Sequence, residues 1–100
     1  MSTLHLMSHS PFADDRLDSC LRLIAPGDAL LLTGDAVHAL QAGTAPRAAL
    51  EQLDEAITLF ALAEDVTARG LLSLPGRVEV IDYAEFVELC CRYARTNAWL

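Results

Sequence analysis

Three residue types in this chain could carry covalent or acid–base chemistry: cysteine, histidine and serine. The cysteines are Cys20, Cys90 and Cys91. A thiol accepts sulfane sulfur and holds it as a persulfide when it is accessible and partly ionised. Cys20 does not obviously meet that condition. It stands with Leu17, Leu21 and Ile24 at the i, i+3, i+4, i+7 spacing of one buried helix face. A cysteine on such a stripe behaves as a small hydrophobe, and burial raises its pKa. Arg16, one turn earlier, and Arg22 are its nearest cations in sequence, opposed by Asp15 and Asp18. Burial therefore favours a structural Cys20, with sulfur acceptance as the alternative. Cys90 belongs to the buried face of a later helix. Cys91 lies about 100° further round and is a candidate for the surface or an interface. Adjacent cysteines bridge only with strain, and the chain has no C-x-x-C and no zinc-ligand spacing.

In open α/β sheets, ligands sit at the carboxyl ends of the strands. Here those ends carry Ser8-His9-Ser10, Thr33-Gly34-Asp35 and Ala63-Glu64-Asp65. His9 as base and Ser10 as nucleophile would be a catalytic pair. A polar turn and cap explains the same residues more simply. His5 and His9 straddle a strand end rather than one helix face, so they do not reproduce the H-E-x-x-H metal site. His38, beside Asp35, reads as a surface histidine. Gly34 and Gly43 form no phosphate-binding fingerprint. Neither a metal nor a cofactor is expected.

The elements that must position these residues alternate. Leu4 to Met7 reads as a first strand. A helix starts at Asp14 or Asp15 and stops at Pro26-Gly27. Ala29 to Leu32 is a continuous apolar run, as in a strand covered on both faces. Gly34-Asp35 opens a short helical piece to Leu40. Thr44 caps a helix with Pro46 in its first turn, running to about Leu53. Ile57 to Leu62 reads as the third strand, followed by a short helix with Glu64 and Asp65 at its positive end and Gly70 just past it. Val78 to Ile81 is the fourth strand. Asp82 with Glu85 resembles a capping box for a last helix burying Tyr83, Phe86, Val87 and Cys90. This pattern predicts one domain over residues 1–100, an α/β fold with a small, mostly parallel sheet of about four strands flanked by helices.

The composition narrows the function. The apolar fraction is 53%, above the usual range of roughly 45–50%, so apolar surface should remain after the core is filled. The net charge is −7, and the seven cations are all arginine, scattered along the chain. That distribution argues against direct binding of nucleic acid, which draws on clustered cations. No stretch approaches the ~20 apolar residues of a membrane span, and the start of the chain lacks signal-peptide features, so a cytoplasmic location is expected. The chain closes on Asn97-Ala98-Trp99-Leu100, with its single tryptophan. An apolar Trp-Leu end gains by docking, either on its own domain or on a partner, which makes Trp99 and Leu100 interface candidates together with Cys91.

Several segments, in order, resemble the TusB/DsrH family of bacterial sulfur-relay subunits. The opening Leu4-His5-Leu6-Met7-Ser8-His9-Ser10-Pro11-Phe12 is similar to that family's histidine strand closing on Ser-Pro and an aromatic. Leu62-Ala63-Glu64-Asp65-Val66-Thr67-Ala68-Arg69-Gly70-Leu71 resembles its Ala-Leu-x-x-Asp-x-x-Ala-Arg-Gly block. Asp82-Tyr83 through Leu89, and Ala98-Trp99-Leu100, are similar to its end. Gly34-Asp35-Ala36-Val37 departs from the usual Asp-Gly-Val. The resemblance implies a DsrE-like fold and a place in a heterohexamer with two homologous DsrE-like subunits of the TusC and TusD type. In that assembly the principal sulfur-accepting cysteine belongs to another subunit. It further implies relay of persulfide sulfur to a downstream acceptor protein, toward 2-thiolation of the tRNA wobble uridine. The alternative is a DsrH-type subunit in dissimilatory sulfur oxidation. That branch tends to carry a cysteine on the first helix, where this chain has Cys20.

Overall fold

The protein is described here by a computed structural model covering residues 2–99. The elements run β1 (Thr3–Met7), α1 (Arg16–Leu23), β2 (Ala29–Leu32), a 3-10 segment (Gly34–Leu40), α2 (Ala45–Glu51), β3 (Thr58–Leu62), α3 (Ala63–Ala68), β4 (Val78–Ile81), α4 (Tyr83–Arg92) and β5 (Arg95–Trp99). The strands form a single sheet in the order β4-β3-β2-β1-β5, and every pairing is parallel. The continuous apolar runs of β2 and β3 occupy the middle of the sheet, where both faces are covered.

Local chemistry sets the helix starts. Thr44 accepts the Arg47 amide at 3.4 Å, and Pro46 supplies the fixed φ of a first turn. Asp82 accepts the Glu85 amide at 2.9 Å while the Glu85 carboxylate accepts the Asp82 amide at 3.3 Å, a complete capping box. The elements read from sequence are thus present, with α2 ending two residues earlier and β3 starting one residue later than expected.

The sheet has a fifth strand that the helical pattern concealed. The last helix stops at Arg92, Tyr93 is extended at φ −92° and ψ 147°, and Arg95 to Trp99 pairs along β1 from Thr3↔Arg95 to Met7↔Trp99. Thr96 and Asn97 are weak helix formers, and an edge strand tolerates polar residues on both faces.

The two faces of the sheet are covered unequally. One apolar cluster joins Met7, Leu30, Leu32, Leu59 and Ala61 to α1, the 3-10 segment, α2 and α3. The opposite cluster of Leu4, Ala29, Leu31, Phe60 and Ile81 meets α4 through Leu89, Phe86 and Cys90. Of the side chains expected inside on α4, Phe86 and Cys90 are half-buried, but Tyr83 and Val87 are exposed at 52% and 64%. The apolar arc of α4 is wider than the strip of sheet beneath it, so these two side chains stand on its flank.

Candidate functional site

At the carboxyl end of β1, the proposed nucleophile is committed to the backbone. Ser10 Oγ accepts the Phe12 amide at 3.2 Å, and the Ala13 amide donates to the Ser10 carbonyl at 3.1 Å. Among the described residues no hydrogen bond joins His9 to Ser10. The segment is a polar turn, and His9 and Ser10 are not assembled as a base–nucleophile pair.

The ends of β2 and β3 are clamped together. Asp65 Oδ2 accepts the Gly34 amide at 2.8 Å. Arg69, one turn further along the chain, donates from Nη2 and Nε to Asp35 Oδ1 at 2.9 and 3.2 Å. It also reaches the Asp65 carbonyl at 3.3 Å. Gly34 has φ +51°, and a side chain there would meet the Ser8 carbonyl at 3.4 Å. The Asp-x-x-Ala-Arg-Gly block therefore holds two strand ends in register. The Asp65 carboxylate is occupied by the Gly34 amide and Arg69, and that of Asp35 by Arg69.

The polar centre that sequence reading missed lies at the amino end of β2. His5 in β1 and Asp28 just before β2 are both buried, at 6% and 7% exposure. Trp99 Nε1–H donates to His5 Nδ1 at 3.1 Å, and the two ring centroids are 6.2 Å apart. His5 Nε2 stands 3.4 Å from Asp28 Oδ2. With Nδ1 accepting, the network assigns the ring proton to Nε2, facing the carboxylate. Asp28 Oδ1 accepts the Thr3 amide at 2.9 Å and Oδ2 accepts the Ala25 amide at 3.1 Å. Burial pushes the Asp28 carboxyl up. The Thr3 and Ala25 amides and the His5 ring outweigh that and hold it below its usual value. The available signal was a histidine inside an apolar strand and an aspartate directly ahead of an apolar run.

This network joins the last strand to the first. Trp99 is half-buried and packs against the cluster of its own domain. Leu100, the other terminal interface candidate, lies outside the described residues. Cys91 is exposed on α4.

Cys20 is completely buried on α1. Burial pushes its thiol up to about 12, and the Asp28 charge adds to the effect. At neutral pH it is a protonated thiol without access, the reverse of an activated nucleophile. The three cysteines are free thiols. Among the described residues no three His, Cys, Asp or Glu side chains cluster as metal ligands. No described helix is long and apolar enough to cross a membrane.

Among the described residues, two of the grooves open on the helical face. One of about 490 Å³ runs between the 3-10 segment and the loop after α3, beside His38, Arg69 and Leu72. The other, of about 600 Å³, separates α1 from α2.

The family model described as DsrH like protein matches residues 9–96. The chain belongs to the DsrH-like family. Protein TusB of Erwinia tasmaniensis is 43% identical over 97 residues, covering 96% of this chain and 99% of that protein. Protein TusB of Salmonella arizonae and of Salmonella typhimurium are each 42% identical over 98 residues, covering 96% of this chain and 99% of theirs. The fold is shared with the crystal structure of the ychN protein from E. coli, at a TM-score of 0.83 and 20% identity, covering 98% of this chain and 99% of that one. The solution structure of Tm0979 from Thermotoga maritima follows at 0.63 and 23% identity, covering 90% and 92%. In this DsrH-like chain the Asp65–Arg69 block acts as a strand-end clamp, and Trp99 is a partner of His5.

Proposed function

We propose that this chain is a structural, non-catalytic subunit of a cytoplasmic sulfur-relay assembly. In this reading it helps pass persulfide sulfur toward 2-thiolation of the tRNA wobble uridine. Its full-length likeness to TusB proteins supports the pathway. The observation that carries the non-catalytic role is the state of Cys20, fully buried with its thiol pushed up to about 12. The relayed sulfur then rides on a cysteine of another subunit. Two homologous DsrE-like subunits, of the TusC and TusD type, complete a heterohexamer. The acidic chain, with seven scattered arginines, leaves tRNA to downstream components.

A second reading, a DsrH-type subunit in sulfur oxidation with Cys20 as carrier, is favoured by one observation: Cys20 sits on the first helix of a chain that matches the DsrH-like family model. Intact-mass measurement separates the two. After incubation with a persulfide donor and the partner subunits, this chain should gain no sulfur at Cys20. A gain of about 32 Da localised to Cys20 would establish the carrier role instead.

A further inference from the structure

We propose that the groove between α1 and α2 is a docking site for a partner subunit that offers an apolar side chain beside an arginine or lysine. The inference rests on the assembly reading above and specifies the surface that serves it. The groove holds about 600 Å³ and is floored by Leu17, Leu21 and Ala49. Phe12 stands on its lip, 59% exposed. That ring is not on a loose tail. It belongs to the turn fixed by the Phe12 amide on Ser10 Oγ at 3.2 Å and the Ala13 amide on the Ser10 carbonyl at 3.1 Å. An exposed aromatic on a preorganised turn beside an apolar groove is the form of a binding anchor, because little ordering remains to be done on contact.

Charge identifies the occupant. Asp14 and Asp18 line the groove and Asp15 adjoins them, with Arg16 the one cation in that run. Arg16 is bonded to Asp14, while Asp18 is exposed. This rim repels phosphate, so it disfavours nucleic acid and anionic membrane surfaces. A second copy of the chain would bring the same carboxylates and another net charge of −7. A protein surface with a cation next to an apolar anchor satisfies both the floor and the rim.

The test is co-expression with the two DsrE-like partner subunits of the same organism, purified through a tag on a partner. Asp18→Arg and Phe12→Ala alter exposed side chains, and unchanged urea midpoints would show that both variants fold. Each should lower the recovered chain by about tenfold, and raised salt should weaken assembly of the wild type. Tyr83→Ser and Val87→Ser alter an exposed apolar flank of α4 that lies outside the groove, and these should assemble like the wild type. If the groove variants assemble normally, or only the α4 variants fail, the groove proposal is overturned while the assembly reading stands. If the wild type itself does not assemble, both are overturned.

Discussion

Asp28 combines near-complete burial with hydrogen bonds from two backbone amides and one histidine ring. Its carboxyl is held below the usual value of 3.8, so the folded chain binds this proton less tightly than the unfolded chain does. The sign follows from linkage: the stability Asp28 adds is present above pH 3.8 and is lost as the pH falls through its lower folded value. Asp28→Asn should therefore flatten the acid limb of a stability–pH curve measured by urea denaturation. Trp99 tests the same network from the other end. Trp99→Phe keeps an aromatic ring but leaves His5 Nδ1 without its donor, and should cost about 1–2 kcal/mol. Trp99→Ala also removes the packing. It should cost about 2–3 kcal/mol, less than a fully buried ring would. A urea midpoint unchanged in both variants would mean that the His5–Trp99 contact does not hold the terminal strand. The burial of Cys20 was legible, because helical spacing places it with Leu17 and Leu21. The His5–Asp28 pair was not. Its partners are 23 residues apart, and it forms only once β1 and β2 are in register.

Arg77 shows what holds an element when propensity does not. Its guanidinium donates to the carbonyls of Leu53 at 2.6 Å, Asp54 at 2.9 Å, Ile57 at 2.8 Å and Leu50 at 3.3 Å. These carbonyls belong to the last turn of α2 and the loop leading into β3; those of Leu50 and Asp54 also accept the Leu53 and Ile57 amides, at 3.3 and 3.0 Å, so the guanidinium adds a second donor there and ties the turn to the start of β4. A planar fork can serve several acceptors at once, whereas an ammonium on a flexible stem cannot hold the same set. Arg77→Ala should lower stability by about 1.5–3 kcal/mol, and Arg77→Lys should recover only part of it in the same denaturation assay. Most elements were readable because their periods and caps are local: the apolar run Ala29 to Leu32, the Thr44 cap and the Asp82–Glu85 box. The fifth strand was hidden because Arg95-Thr96-Asn97 carries no apolar alternation. It is a strand because β1 offers an unpaired edge and Trp99 finds His5 beyond it. Tyr83 and Val87 were misplaced for a related reason. Spacing shows which residues share a helix face, not how wide a strip the sheet covers.

At the scale of the molecule, one face of the sheet is buried under three helices and a 3-10 segment, the other under α4. Exposed Phe12, Leu72, Tyr83 and Val87 leave apolar surface on a chain of net charge −7. That balance suits a component of an assembly more than a free enzyme. The inward-facing thiol fits the same role, since a relay cysteine must meet its donor and acceptor. The measurement that tests this most directly is the 2-thiouridine content of tRNA from cells in which the native gene is replaced by a cysteine-free version, Cys20→Ala with Cys90→Ala and Cys91→Ala. Co-purification with the partner subunits would first show that the variant folds and assembles. The structural role predicts thiolation at the wild-type level, since no sulfur passes through this chain. Loss of 2-thiouridine in an assembled, cysteine-free complex would contradict it and make one of these thiols a carrier.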